Sequence, residues 1–264
     1  MTKITIIENV NKANDQIAAQ NQTLLDQNGT LAVNLMASPG AGKTSLLMRT
    51  VETLRGRLRS GAIEGDTASQ VDADKVASAG TPVIQINTGG GCRLDANMVR
   101  PALEQLPLGE IDLLLIENVG NLVCPAGVAL GEHLSVVITS VPEGDDKLYK
   151  YPNIFTVVDA VVINKIDLLL HLDYDVPAFC EVVQGLNPKA QVFPTSCKTG
   201  TGIHTWAGWL VDNDHAYYCN CTLERLNKVR QEQQARAALG QWIGAAALRP
   251  IAVKLPDWAP LPPR

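Results

Sequence analysis

With 264 residues, 46% hydrophobic and 19% charged, the chain is long enough to bury one sizeable domain, or one domain with an appendage. A formal net charge of −5, with no dense Lys/Arg block, argues against nucleic acid as the main partner. The opening MTKITIIENVNKAND has no apolar export segment, and the longest apolar runs, such as 111–116, are too short to span a bilayer, so a cytoplasmic location without a membrane partner is expected.

Residues 11–28 are polar, carry Ile17, Leu24 and Leu25 at roughly helical spacing, and stop at Asn28-Gly29. That pattern predicts an N-terminal helix within residues 1–30. LAVNLMA (31–37) then opens a series of short apolar runs, continued at 81–87, 111–118, 134–141, 159–164 and 190–195. Each has strand length, is apolar on both faces and is separated from the next by a polar or helical stretch. This is the pattern of a buried parallel sheet, so residues 31–212 are expected to form an α/β, doubly wound domain. The character changes beyond: 222–247 is rich in Gln, Arg and Ala, and 248–264 contain five of the fifteen prolines. Residues 213–264 read as a helical and Pro-rich appendage.

Between the first run and the helix-like LLMRTVETL stands ASPGAGKTS (37–45). It follows the phosphate-loop pattern G-x-x-x-x-G-K-[ST], with Ala37 in place of the first glycine. Gly40, Ala41 and Gly42 turn backbone N–H groups inward at a helix N-terminus, where anions are favoured, and Ser45 begins the helix with them. Lys43 is expected to reach the β- and γ-phosphates, and the Thr44 hydroxyl to ligate Mg²⁺. The plainer alternative is a glycine turn between strand and helix.

Asn164, Lys165 and Asp167 end the run DAVVIN in the form N-K-x-D, which resembles the guanine motif of GTPases. A carboxylate at the last place accepts from both N1–H and the exocyclic amine of guanine, whereas adenine leaves it unpaired. Ser196, Cys197 and Lys198 then resemble the loop that closes over the base, with Cys197 as a small loop residue. Asp66, in IEGD (63–66), falls where a switch loop is expected, and Glu117 and Gly120 (ENVG) end another apolar run. The two acids are candidates to hold Mg²⁺ or position water. Gly120 is a candidate to offer its N–H to the γ-phosphate, and each acid could instead be a solvated loop carboxylate. The expected enzyme is a slow, Mg²⁺-dependent GTPase with Lys43, Asp66 and Glu117 as its catalytic groups.

Six cysteines, at 92, 124, 180, 197, 219 and 221, suit free thiols or metal ligands better than disulfides in a cytosolic chain. His215, Cys219 and Cys221 could cluster around a soft metal, but exposed or packed thiols are the preferred reading. His133 and His171 read as structural or surface residues.

SPGAGKTSLL, IEGDTASQVDADKV, TPVIQINTGGGCRLDANMV, IENVGNLVCPA, EGDDKLYKYP and NKIDLL together resemble the hydrogenase nickel-incorporation GTPases, the HypB family, over about residues 10–210. The resemblance implies a P-loop NTPase fold of the SIMIBI type and a GTP-dependent homodimer that assists nickel insertion into [NiFe]-hydrogenase. It also implies two partners, a zinc-containing maturation protein and the hydrogenase large subunit. It further implies a Ni²⁺ or Zn²⁺ site at Cys92 and Cys124, with a histidine at position 93. Here that position is Arg93, which cannot ligate a metal. Its charge would favour a thiolate and repel a divalent cation. Two cysteines from each of two protomers could still offer four thiolates. Arg93 could also act across a dimer on phosphate charge, although an ordinary surface arginine is the preferred reading. Two alternatives follow from the missing ligand: a nucleotide-gated binding module without metal cargo, or a metallochaperone GTPase for another metalloenzyme.

Overall fold

The computed structural model describes residues 6–66, 76–77 and 80–217. Its first element is helix α1 (Ile6–Asn28), which stops where Gly29 takes φ 67°. Ala18, Asn21 and Leu25 form its buried line, at the i, i+3, i+7 spacing of one helix face. Buried Asn21 donates to Ala96 O at 2.9 Å and Leu130 O at 2.8 Å, which satisfies its N–H₂ group.

Among the described residues, seven strands form one parallel sheet: β1 (Leu31–Ala37), β2 (Ser60–Asp66), β3 (Val83–Asn87), β4 (Leu113–Glu117), β5 (Leu134–Ser140), β6 (Ala160–Asn164) and β7 (Gln191–Pro194). Their spatial order is β3-β2-β4-β1-β5-β6-β7. The chain winds to one side of β1 first and to the other side later. The crevice beyond the carboxyl end of β1 is therefore the place where such a sheet binds a ligand.

All seven residues of β1 and all five of β4 and of β6 are buried, which is why these strands are apolar except at Asn34, Glu117 and Asn164. Six of the strands fall on the apolar runs of the sequence. The seventh, β2, does not: residues 63–66, expected in a switch loop, lie in a strand. SGAIEGD lacks an apolar run because two of its positions have no room for a side chain. A Cβ on Gly61 would come within 2.6 Å of Ile111 Cδ1, and one on Gly65 within 2.8 Å of Leu94 Cδ1.

Helices α2 (Lys43–Leu54), α3 (Ala96–Gln105) and α4 (Val176–Leu186) flank the sheet, and α5 is Ile203–Tyr217. Asp95 caps α3 through Met98 N and Asp175 caps α4 through Ala178 N, both at 2.9 Å. One apolar cluster gathers Leu25, Ile63, Leu103 and Leu114. A second gathers Val137, Phe155, Val161 and Phe179, where the two phenylalanine rings meet edge to face at 6.2 Å. The chain divides into two compact units, residues 1–205 and 206–264. In the described part of the second, Trp206 and Trp209 have ring centroids 5.5 Å apart. No described helix is long and apolar enough to cross a membrane.

His133 is a structural residue. Its Nδ1 accepts from Ala32 N at 2.9 Å and its Nε2 faces Asp26 Oδ1 at 3.1 Å, so the neutral ring with Nε2–H satisfies both. Burial is the main cause that holds its pKa below the usual histidine value, with Asp26 pulling the other way. The unfolded chain therefore takes up the proton first. The stability His133 contributes is present above pH ~6.5 and is lost as pH falls below it. We expect the urea midpoint to fall between pH 7 and 5 and His133→Gln to flatten that slope, at a cost of about 1 kcal/mol at pH 8. An unchanged slope would remove His133 from this account. His171 is exposed.

Candidate functional site

The loop between β1 and α2 is shaped by its glycines. Gly42 caps α2 at φ 101°, ψ 36°, a left-handed conformation that side chains resist, and Ala41 N bonds back to Ser38 O at 3.4 Å. Gly42 also sits against the Asn164 amide with no space for a Cβ. The N-terminus of α2, at Lys43, Thr44 and Ser45, is thus aimed at the crevice beyond β1.

Three groups converge there. Thr44 Oγ1 donates to Glu117 Oε1 at 3.1 Å, and Lys43 Nζ lies 4.0 Å from the same oxygen. Glu117 ends β4 and is buried, as is Lys43. Glu64 is a further buried carboxylate that sequence reasoning passed over in favour of Asp66. It is the register partner of Glu117 on the adjoining strand, so both side chains leave the same face of the sheet. Asp66 stands two residues further on, at the carboxyl end of β2, where its carbonyl accepts from Thr88 N at 2.9 Å. Gly120 packs on the loop itself: a Cβ there would lie 3.0 Å from Pro39 Cγ. Thr44 and Glu117 form an all-oxygen donor pair, the chemistry that suits Mg²⁺.

The second wall comes from β6 and β7. Asn164 Nδ2 donates to Ala41 O at 3.0 Å, while its Oδ1 accepts from Lys165 N at 2.8 Å and from Cys197 N at 3.3 Å. Lys165 has φ 61°, alone among the described non-glycine residues in taking a positive value, and its Nζ donates to Gly40 O at 2.6 Å. Backbone strain of this kind persists where surroundings over-determine it, here by anchoring one loop to the other. Asp167 Oδ1 accepts from Ser196 Oγ at 2.6 Å. A cavity of about 590 Å³ opens between these walls, lined by Gly42, Thr44, Arg49, Asn164, Asp167 and Cys197, among others, with Lys198 at its rim. Arg49 also went unnoticed in the sequence. From α2 its Nε donates to Cys197 O at 2.7 Å and fixes the loop over the cavity. Burial pushes the Cys197 thiol up to about 11, which keeps it neutral and suits a loop residue.

A second cluster lies on the loops after β3 and β4. Cys92 is exposed, Cys124 half-buried, and their thiols are close enough to hydrogen-bond. That contact is the main reason the Cys124 thiol is pushed above its usual range, followed by burial, while Arg93 and Asn121 oppose it. Arg93 Nη1 donates to Cys124 O at 3.0 Å, and Asn121 Nδ2 to Cys124 Sγ at 3.4 Å. Among the described residues no three Cys, His, Asp or Glu side chains gather as a metal site. The side chains of His215, Cys219 and Cys221 lie outside the described residues.

Asn118 joins the two clusters. Its Oδ1 accepts from Leu94 N at 3.0 Å and Val119 N at 2.9 Å. Its Nδ2 donates to Asn34 Oδ1 at 3.2 Å, and Asn34 Nδ2 donates to Glu132 Oε1 at 3.0 Å. The loop of Cys92 and the loop between Glu117 and Gly120 therefore share one buried amide.

Residues 31–194 match the family described as CobW/HypB/UreG, nucleotide-binding domain. The chain belongs to that family. Its similarity lies on the HypB side. It is 47% identical over 197 residues to the hydrogenase maturation factor HypB of Azotobacter vinelandii, an alignment over 75% of this chain and 65% of that protein. To the HypB of Rhizobium leguminosarum it is 44% identical over 207 residues, covering 78% of this chain and 69% of that one. Among solved structures, HypB from Helicobacter pylori in complex with nickel superposes with TM-score 0.75 at 36% identity, covering 78% of this chain and 97% of that one. HypB from Archaeoglobus fulgidus gives 0.72 at 40% identity, with 77% and 99% covered. The doubly wound P-loop fold and the nucleotide-binding assignment thus agree with the HypB family.

Proposed function

We propose that this chain is a GTPase that acts as a GTP-dependent dimer switch and metallochaperone, assisting nickel insertion into [NiFe]-hydrogenase in the cytoplasm. Its partners are a second copy of itself, a zinc-containing maturation protein and the hydrogenase large subunit. The observation that carries the reading is the amide of Asn118, bonded at once to the thiol loop through Leu94 and to the nucleotide loop through Val119. A group bound at one loop bears on the other through that residue.

In this mechanism Asp167 selects guanine, and Ser196 holds its carboxylate in place. Lys43 exchanges Glu117 for the β- and γ-phosphates when nucleotide enters. Thr44 and Glu117, with Asp66 near them in the fold, would hold Mg²⁺, which supplies charge neutralisation at the phosphates when bound. Gly120 offers its N–H to the γ-phosphate, and GDP stays in the cradle after hydrolysis. Catalysis is positioning and charge compensation, so turnover is slow.

For the cargo, Cys92 and Cys124 supply two soft donors per chain, and two chains supply four, a set that suits Zn²⁺ and takes Ni²⁺. The guanidinium of Arg93 beside them favours a second reading, a nucleotide-gated binding module that carries no metal. Ni²⁺ and Zn²⁺ stoichiometry under reducing conditions separates the two, measured with GDP and with a non-hydrolysable GTP analogue. We expect binding that Cys92→Ala abolishes and that Arg93→His tightens by about tenfold, as added imidazole ligation should. Equal and negligible binding in every sample would leave the binding module standing and discard the metallochaperone.

A further inference from the structure

A second lysine stands at the edge of the nucleotide cradle. Lys147, in the segment that follows β5, donates from Nζ to Ser38 Oγ at 2.9 Å and pairs with Glu143 Oε1 at 3.1 Å. Glu143 Oε2 accepts from Ser140 Oγ at 2.8 Å, and Ser140 ends β5 in register with Asn164. The ammonium also lies 5.5 Å from the centre of the Tyr151 ring. The Lys147 side chain is 17% exposed and that of Glu143 14%. An ion pair this enclosed, with a hydroxyl bonded to each partner, is held in one geometry rather than swinging in water.

Its position along the cradle is specific. Ser38 is the first residue after β1, and Pro39, next to it, is the residue that Gly120 packs against. The base end is the opposite one, where Asp167 meets Ser196. If Gly120 faces the γ-phosphate, then Ser38 and Lys147 lie at the terminal-phosphate end. Glu117 engages Lys43 and Thr44, so Lys147 is a separate cation with its own counter-ion.

We propose that Lys147 is a positioning residue for the terminal phosphate of a nucleoside triphosphate. Glu143 holds its ammonium on Ser38. The hydroxyl and the positive charge then sit at the end of the cradle that a triphosphate fills and a diphosphate leaves open. Lys147 thereby makes the protein read the third phosphate. This deepens the guanine-nucleotide reading above and rests on it.

Dissociation constants for a non-hydrolysable GTP analogue and for GDP, measured calorimetrically on the full chain with Mg²⁺, test the proposal. Lys147→Met is expected to weaken the analogue by about tenfold and GDP by less than about twofold, since only the analogue places charge beside the ammonium. Lys147→Arg, which keeps the charge, is expected to recover most of the analogue's affinity. Should Lys147→Met fail to fold, Lys147→Gln retains hydrogen bonding to Ser38 and Glu143 without the charge and must show the same selective loss. Equal weakening of both ligands marks a merely structural lysine and overturns the inference, as does no change in either. An unaltered protein that binds neither nucleotide overturns the guanine reading and this inference together. Binding of both, with Lys147 indifferent, overturns this inference alone.

Discussion

Asp167→Asn is expected to lower GTP affinity by about 10³-fold and to admit xanthosine triphosphate in its place. Asp167 has one oxygen occupied by the Ser196 hydroxyl at 2.6 Å, which fixes the carboxylate plane and leaves the other lone pairs for the base. Guanine presents two adjacent N–H donors, which a carboxylate accepts together. An asparagine keeps the oxygen that Ser196 needs but turns an amide N–H₂ toward one of those donors, and a donor facing a donor in a closed site loses both bonds. Xanthine carries a carbonyl where guanine has its amine, so the exchanged amide fits it. Competition binding with GTP, ATP and xanthosine triphosphate reads this directly. Unchanged GTP affinity would remove the guanine assignment.

The second large effect is expected at Glu117. Its Oε1 receives the Thr44 hydroxyl at 3.1 Å and stands 4.0 Å from the Lys43 ammonium, so one oxygen organises both groups that meet the phosphates. Glu117→Gln keeps the shape and removes the charge. Turnover of GTP is expected to fall by about 10²-fold, with GDP affinity changing far less, because the charge matters most where it develops during phosphoryl transfer. Single-turnover hydrolysis alongside GDP titration separates the two. A turnover within about threefold of the unaltered protein would take Glu117 out of the chemistry.

The parts of this site that could be read from the chain are those written in consecutive residues. SPGAGKTS and NKID each encode a loop whose backbone and side chains act together, and the apolar runs beside them give away six strands. What escaped is what depends on packing between distant segments. Strand β2 is hidden because Ile111 and Leu94 occupy the space its side chains would fill. Glu64 looked no different from Asp66 until the register with β4 placed it beside Glu117. Arg49 and Lys147 resemble ordinary surface cations in sequence, and only the fold carries one to Cys197 O and the other to Ser38 Oγ.

The buried amides on β1 and after β4 run in one direction only. Glu132, an acceptor, takes the Asn34 N–H₂, which turns the Asn34 oxygen toward Asn118. Asn118 must then present its own N–H₂ to Asn34 and its oxygen to Leu94 and Val119. Glu132 Oε1 also accepts from Ser135 Oγ at 3.0 Å, so one acceptor dictates which way round two amides face. A side chain at position 132 that donated to Asn34 would turn the seam around, and Asn118 would then face Leu94 N and Val119 N with N–H₂, where both need an acceptor.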